Sequence, residues 1–243
     1  MKRSTYTDPG ARTEAALEIS RKSRAIARAA IGDRTPEDRI RQRCSIAVGD
    51  LAMANLLRFR NEPVEAGLEA LRGGAAIITD IRMVQTGILK TGHRSPVLCA
   101  LDAVTQPVRE GTTRTAAGLR ALEDRIDDAI VVVGNAPSAL FAACELIDRG
   151  SDPALVIGTP VGFVQAAESK ELLRTLPVPS ISTEGTRGGS PVAVAAANEI
   201  ITVFLSEMGG FGKGGFEETD LERRSREKPT SSDPPSGRVR DAP

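Results

Sequence analysis

Aromatic side chains are nearly absent: the 243-residue chain has no Trp, one Tyr and six Phe, 3% in all. A protein that reads looped or single-stranded nucleic acid stacks bases on such rings, so that class is disfavoured. Net charge is missing as well. Lys+Arg and Asp+Glu both number 32, which leaves no electrostatic footprint for nucleic acid or for an anionic membrane surface. Histidine is reduced to His93, and the cysteines to Cys44, Cys99 and Cys144, with no CxxC spacing among them. A zinc site therefore lacks its ligands and a disulfide framework its pairs, and no metal is expected. The cysteines read as small reduced core residues, which suits the cytoplasm. No run is apolar enough to cross a bilayer: residues 192–205 include Asn198 and Glu199 and are too short. Residues 1–8 hold no apolar core, so no secretory leader is expected.

What is present is an alternation. Residues 13–31 and 35–48 carry helical spacing, the second opening on a Thr35 cap, Pro36 and the acidic pair Glu37-Asp38. Gly49 interrupts the helix before residues 51–59, and a third helix over 63–71 ends at Gly73-Gly74. From there short apolar runs at 75–79, 96–101, 129–134, 154–158 and 178–182 read as buried strands. Helices are expected between them over 115–125, 137–149 and about 164–173, with a last one over 190–208. This order predicts a single α/β domain, a mostly parallel sheet with helices on both faces, preceded by a helical segment. The expected boundaries are a flexible 1–12, the domain at 13–208, and a Gly-, Pro- and charge-rich tail at 209–243 that reads as disordered.

Strand–turn–helix junctions of one type recur at Gly134-Asn135-Ala136-Pro137-Ser138, at Gly158-Thr159-Pro160-Val161-Gly162-Phe163, and at Glu184-Gly185-Thr186-Arg187-Gly188-Gly189-Ser190. Right-handed crossovers place all of them on one edge of the sheet. Helix N-termini with glycines offer free N–H groups to phosphate or carboxylate, and Arg187 adds a planar fork for a carboxylate. Arg114, just before the 115–125 helix, reaches the same edge, and Asp80 ends a strand there. The plainer reading of any one such turn is a tight connection and no more. Taken together with the arginines, the turns predict a pocket for a polyanionic ligand.

No GxGxxG, GxxxxGK[ST] or GxSxG pattern occurs, which removes nucleotide fingerprints and a nucleophile elbow. His93 reads as a solvated loop residue, Asp127 and Asp128 as surface charges, and Glu168 and Lys170 as solvated, with Glu168 close enough to the second turn to matter.

The motifs Gly134-Asn135-Ala136-Pro137-Ser138-Ala139-Leu140, Pro160-Val161-Gly162-Phe163-Val164, Ala167-Glu168-Ser169-Lys170 and Arg187-Gly188-Gly189-Ser190, in this order within residues 13–208, resemble the precorrin-8X (cobalt-precorrin-8) methylmutases of cobalamin biosynthesis. The resemblance implies an isomerase that moves a methyl group from C11 to C12 of a corrin precursor fringed with carboxylates. It implies no cofactor, a homodimer with the site near the interface, and substrate contacts at Asp80, Arg114, Asn135, Gly162, Arg187, Gly188 and Ser190. Members of the family carry a histidine, thought to protonate the ring, in a pattern like Arg-X-Ile-His-X-X-Gly/Ala-Asp. The matching stretch here is Arg43-Cys44-Ser45-Ile46-Ala47-Val48-Gly49-Asp50, with Ile46 at the histidine position. The catalytic residue is therefore unassigned, and a non-catalytic corrinoid-binding homologue stands as the alternative reading.

Overall fold

Local signals start the helices where capping chemistry allows. The computed structural model describes residues 13–105 and 107–209; the expected flexible N-terminus and all of the expected tail beyond Gly209 lie outside them. Helix α1 (Glu14–Ile31) opens on Thr13, whose side chain accepts from Ala16 N, and stops at Gly32. Helix α2 (Pro36–Val48) has a full capping box between Thr35 and Asp38, and Gly49 closes it in the left-handed region. Asp50 then caps a 3-10 turn over Leu51–Leu56.

The next segment departs from expectation. Leu57–Arg60 is not helical but forms strand β1. It is antiparallel to β6 (Ser180–Thr183), with Leu57 opposite Thr183 and Arg60 opposite Ser180. Helix α3 (Pro63–Gly73) leads to β2 (Ile77–Thr79), then α4 (Arg82–Gly87) and β3 (Val97–Cys99). After α5 (Arg114–Arg120) come β4 (Ile130–Val133), α6 (Pro137–Asp148), β5 (Leu155–Gly158), α7 (Ala166–Thr175), β6 and α8 (Ser190–Glu207). The six-stranded sheet runs β1-β6-β5-β4-β2-β3, parallel except for β1.

Period-two alternation divides the strands between two cores. Ile77, Ile130, Val132, Leu155, Ile157 and Ile181 face α3 and α8, while Ile78, Val131, Val133 and Val156 face α5, α6 and α7. Both faces are covered, which is why the strands read as unbroken apolar runs. On the first face α1, α2 and α8 are also tied by charge. Glu199 of α8 is fully buried, with Arg39 at 2.9 Å and Arg24 at 3.6 Å. Burial pushes its carboxyl up, against the pull of the arginines.

The strand order reverses between β2 and β4. From β2 the chain leads outward to β3; from β4 it leads the other way to β5 and β6. Such switch points, at the carboxyl ends of parallel strands, leave a crevice where α/β proteins bind ligands.

Candidate active site

Asp80 closes β2 at that switch point. Its carboxylate is fully buried and accepts from Gly134 N at 3.2 Å, Asn135 N at 2.8 Å and Ala136 N at 3.0 Å. The amides of the first turn, expected to be open to a ligand anion, are thus already occupied by the protein's own carboxylate. Asp80 shapes the turn from behind, and its side chain does not face the mouth. Burial pushes its carboxyl up, opposed by the three amides and by Ile81. What the first turn presents outward is Asn135, which is exposed, and the Ser138 hydroxyl, 2.7 Å from Thr113 Oγ1. Thr113 in turn caps α5 through Ala116 N, so this hydroxyl pair brings exposed Arg114 to the flank of the first turn.

The second and third turns are knitted together. Gly162 N donates to Thr186 O at 3.1 Å, and Gly189 N donates to Thr159 O at 2.7 Å. Gly188 has φ +159°, and a Cβ there would stand 2.3 Å from Thr159 O. Only glycine fits this crossing. The first turn joins from the other side, since a Cβ on Gly134 would meet Ser190 Cα at 2.9 Å. Ser190, at 6% exposure, is an inner residue of this junction. All three turns therefore form one continuous rim. Gly188→Ala should lower stability by about 2–3 kcal/mol through overpacking and strain, read as a drop in the urea midpoint.

Arg187 projects from the third turn and is about half exposed, at 47%. Its partner is Asp50, from the segment after α2, and the hydrogen bond from Arg187 holds the Asp50 carboxyl below the usual range. The sequence places Asp50 at the end of the histidine pattern but gives no sign of this pairing, because its partner lies 137 residues away. The pair sets the end of α2, with half-buried Ile46 in its last turn, beside the arginine turn. Cys44 Sγ, 3.6 Å from Val192 O, ties the same helix to the start of α8.

His93 lies elsewhere. Its Nε2 is 2.6 Å from Leu89 O, in the loop that enters β3 at the opposite edge of the sheet. The neighbouring Gly92 packs on Leu205, about 22 Å along α8 from Ser190 at 1.5 Å of rise per residue. It cannot serve this rim within one chain. Lys170, expected to be solvated, is instead fully buried beneath the third turn, whereas Glu168 is exposed. The rim also carries exposed apolar groups: Phe163 at 95%, Val164 at 77% and Met83 at 67%. Helix α7 starts at Ala166, two residues later than expected, because Gln165 takes φ +62° and turns the chain, leaving Phe163 and Val164 outside. Among the described residues no group of three or more His, Cys, Asp or Glu could hold a metal ion.

The rim thus sets the Arg187 guanidinium, the Asn135 amide and the Ser138 hydroxyl beside the exposed apolar Phe163, Val164 and Met83. The precorrin-8X methylmutase family (CbiC) matches residues 18–203. The cobalt-precorrin-8 methylmutase of Methanocaldococcus jannaschii is 43% identical over 211 residues, covering 82% of this chain and 99% of that protein. The cobalamin biosynthesis protein CbiHC of Archaeoglobus fulgidus is 41% identical over 192 residues; the match takes in 79% of this chain but 41% of that longer protein. The crystal structure of precorrin-8X methyl mutase from Thermus thermophilus aligns with a TM-score of 0.70 at 36% identity, over 81% of this chain and 99% of that one. The chain belongs to the precorrin-8X methylmutase family.

Proposed function

We propose that the protein is an isomerase of corrin-ring biosynthesis that moves a methyl group from C11 to C12 of precorrin-8X or its cobalt form. The observation that carries this is the convergence of the three turns on one rim that holds Arg187 beside an apolar shelf. The shift is intramolecular: one carbon–carbon bond breaks, one forms on the adjacent ring carbon, and no electrons are exchanged with a partner. The reading needs no cofactor. What it asks of the protein is orientation and charge placement.

Asp50 occupies one side of the Arg187 guanidinium and leaves its other donors for a peripheral carboxylate. Arg114, Asn135 and Ser138 supply further polar groups along the rim. Phe163, Val164 and Met83 lie under the ring face, where an apolar macrocycle removes them from water. With Ile46 at the histidine position, α2 brings no titrating group to the site, so a proton that the ring takes up during the shift comes from water and returns to it, because product and substrate are isomers.

The same reading takes the protein as a cytoplasmic homodimer. The buried free cysteines Cys44, Cys99 and Cys144 support the compartment, and no described helix is long and apolar enough to cross a membrane. The homodimer is what membership of the family suggests, and sedimentation velocity tests it.

Arg187→Ala should raise the KM for precorrin-8X by about 10–100-fold, the loss of one charge-assisted hydrogen bond, with kcat changing less. An unchanged KM would remove Arg187 from the substrate's carboxylates and with it the proposed orientation of the ring.

A further inference from the structure

The lysine beneath the rim is an unexpected use of a buried cation. Lys170 lies one turn into α7 on the inward face that also carries Ala166, Ser169 and Leu173, all fully buried. Its Nζ donates to Arg187 O at 2.8 Å and to Thr183 Oγ1 at 3.1 Å, and Thr183 Oγ1 itself donates to Arg187 O at 2.7 Å. One turn along the helix, Arg174 donates to Ser182 Oγ at 3.2 Å and Thr183 O at 3.3 Å. Among the described residues no carboxylate lies within ion-pair distance of Lys170. A cation buried among neutral oxygens is unfavourable compared with an apolar side chain of the same length. What it gives in return is a fixed carbonyl. Backbone bonds from Gly162 N to Thr186 O and from Gly189 N to Thr159 O hold the arginine turn on either side, and the Lys170 ammonium holds the carbonyl of the residue between them that bears the guanidinium.

We infer that Lys170 is a positioning residue for substrate binding: its ammonium, with the Thr183 hydroxyl, pins the Arg187 carbonyl and so holds the guanidinium at the mouth of the site. Lys170 touches no substrate; it acts through Arg187.

The pin is sensitive to pH. Burial, with Arg174 nearby, lowers the Lys170 pKa to about 8. The other charged groups around this patch, Glu171, Glu184, Arg58 and Arg60, act on Arg174. Because the folded value lies below the unfolded one near 10.5, the folded chain holds fewer protons than the unfolded chain between the two. Global stability therefore rises with pH across that window, while the weakened donor releases the Arg187 carbonyl. A purely structural lysine would not make substrate affinity and stability move in opposite directions.

The kinetic part of the test rests on the proposed function; the structural part does not. Turnover of precorrin-8X by wild type and Lys170→Met is followed from about pH 7 to about pH 9.5, and backbone amide exchange of residues 186–189 is compared at neutral pH. The expected wild-type KM rises about threefold or more around pH 8 with kcat nearly level. Lys170→Met starts with the raised KM, shows no such limb, keeps or gains folding stability, and exchanges the 186–189 amides faster. Equal exchange in both proteins, or a wild-type KM that stays level across the window, overturns the inference. If wild type turns over no precorrin-8X, the proposed function fails and amide exchange alone decides the role of Lys170. That comparison, like the wild-type pH series, does not depend on the variant's activity.

Discussion

Ile46→His should raise the turnover of precorrin-8X by about 10²-fold or more, the usual contribution of a positioned general acid. Position 46 lies in the last turn of α2, half-buried. Four residues later Asp50 pairs with Arg187 on the rim. A side chain at 46 is thus four residues along the chain from the carboxylate paired with Arg187, across the Gly49 turn that ends the helix, and an imidazole there titrates near neutral pH, which an isoleucine cannot do. The backbone needs no change, because Gly49 already ends the helix through bonds to Ile46 O and Ser45 O. The gain should appear in kcat with little change in KM, since the binding groups are untouched. A pH–rate profile should acquire a limb near the imidazole pKa. If Ile46→His binds the ring as wild type does and turns over no faster, proton delivery does not limit this enzyme.

Asp80→Ala should lower stability by about 3–5 kcal/mol, because it strands three backbone donors at the switch point. Gly134, Asn135 and Ala136 all donate to this carboxylate, and no side chain caps α6 in its place. A loss of that size is a large share of the about 5–15 kcal/mol that holds a domain together. Asp80→Asn should fall between, keeping one acceptor oxygen and turning a donor towards donors. The pH dependence has a definite sign. Burial raises the folded pKa of Asp80 above its unfolded value, so its contribution is fullest below the unfolded pKa and is lost as pH rises through the folded one. The gap between wild type and Asp80→Ala should therefore be at least as wide near pH 4 as near pH 7. Asp50, lowered by Arg187, behaves oppositely: its contact is present above its unfolded pKa and weakens as pH falls. Urea titrations of wild type and Asp80→Ala at the two pH values check the first statement; wild type and Asp50→Ala compared at about pH 7 and about pH 3 check the second.

The alternation of helices and strands was legible because its signals are local. Thr35 and Asp38 cap α2 by side chains three residues apart, and Gly32, Gly74 and Gly150 stop chains that nothing else would turn. The shared edge of the three turns followed from crossover handedness alone. Strand β1 was not legible, since four residues, Leu57–Arg60, carry no period, and only their register with β6 makes them a strand. The same limit applies to the site. Asp80 reads as ligand-facing because it ends a strand; that β4 is its neighbour, offering three amides, depends on strand order. Lys170 reads as solvated because lysine usually is, and its burial is decided by the ends of β6 and the arginine turn. The Asp50–Arg187 pair spans most of the domain. Residues whose roles are set by backbone within a few positions could be found from sequence; those set by a neighbour across the sheet could not.

Everything in the proposed function depends on this rim carrying out the methyl shift with Ile46 in place. Precorrin-8X labelled with ¹³C in the C11 methyl, incubated with the purified wild-type protein and followed by NMR, tests it most directly. The label is expected to move to C12, with the accompanying change in the ring's absorption spectrum. A ring that binds tightly while its label stays on C11 contradicts it.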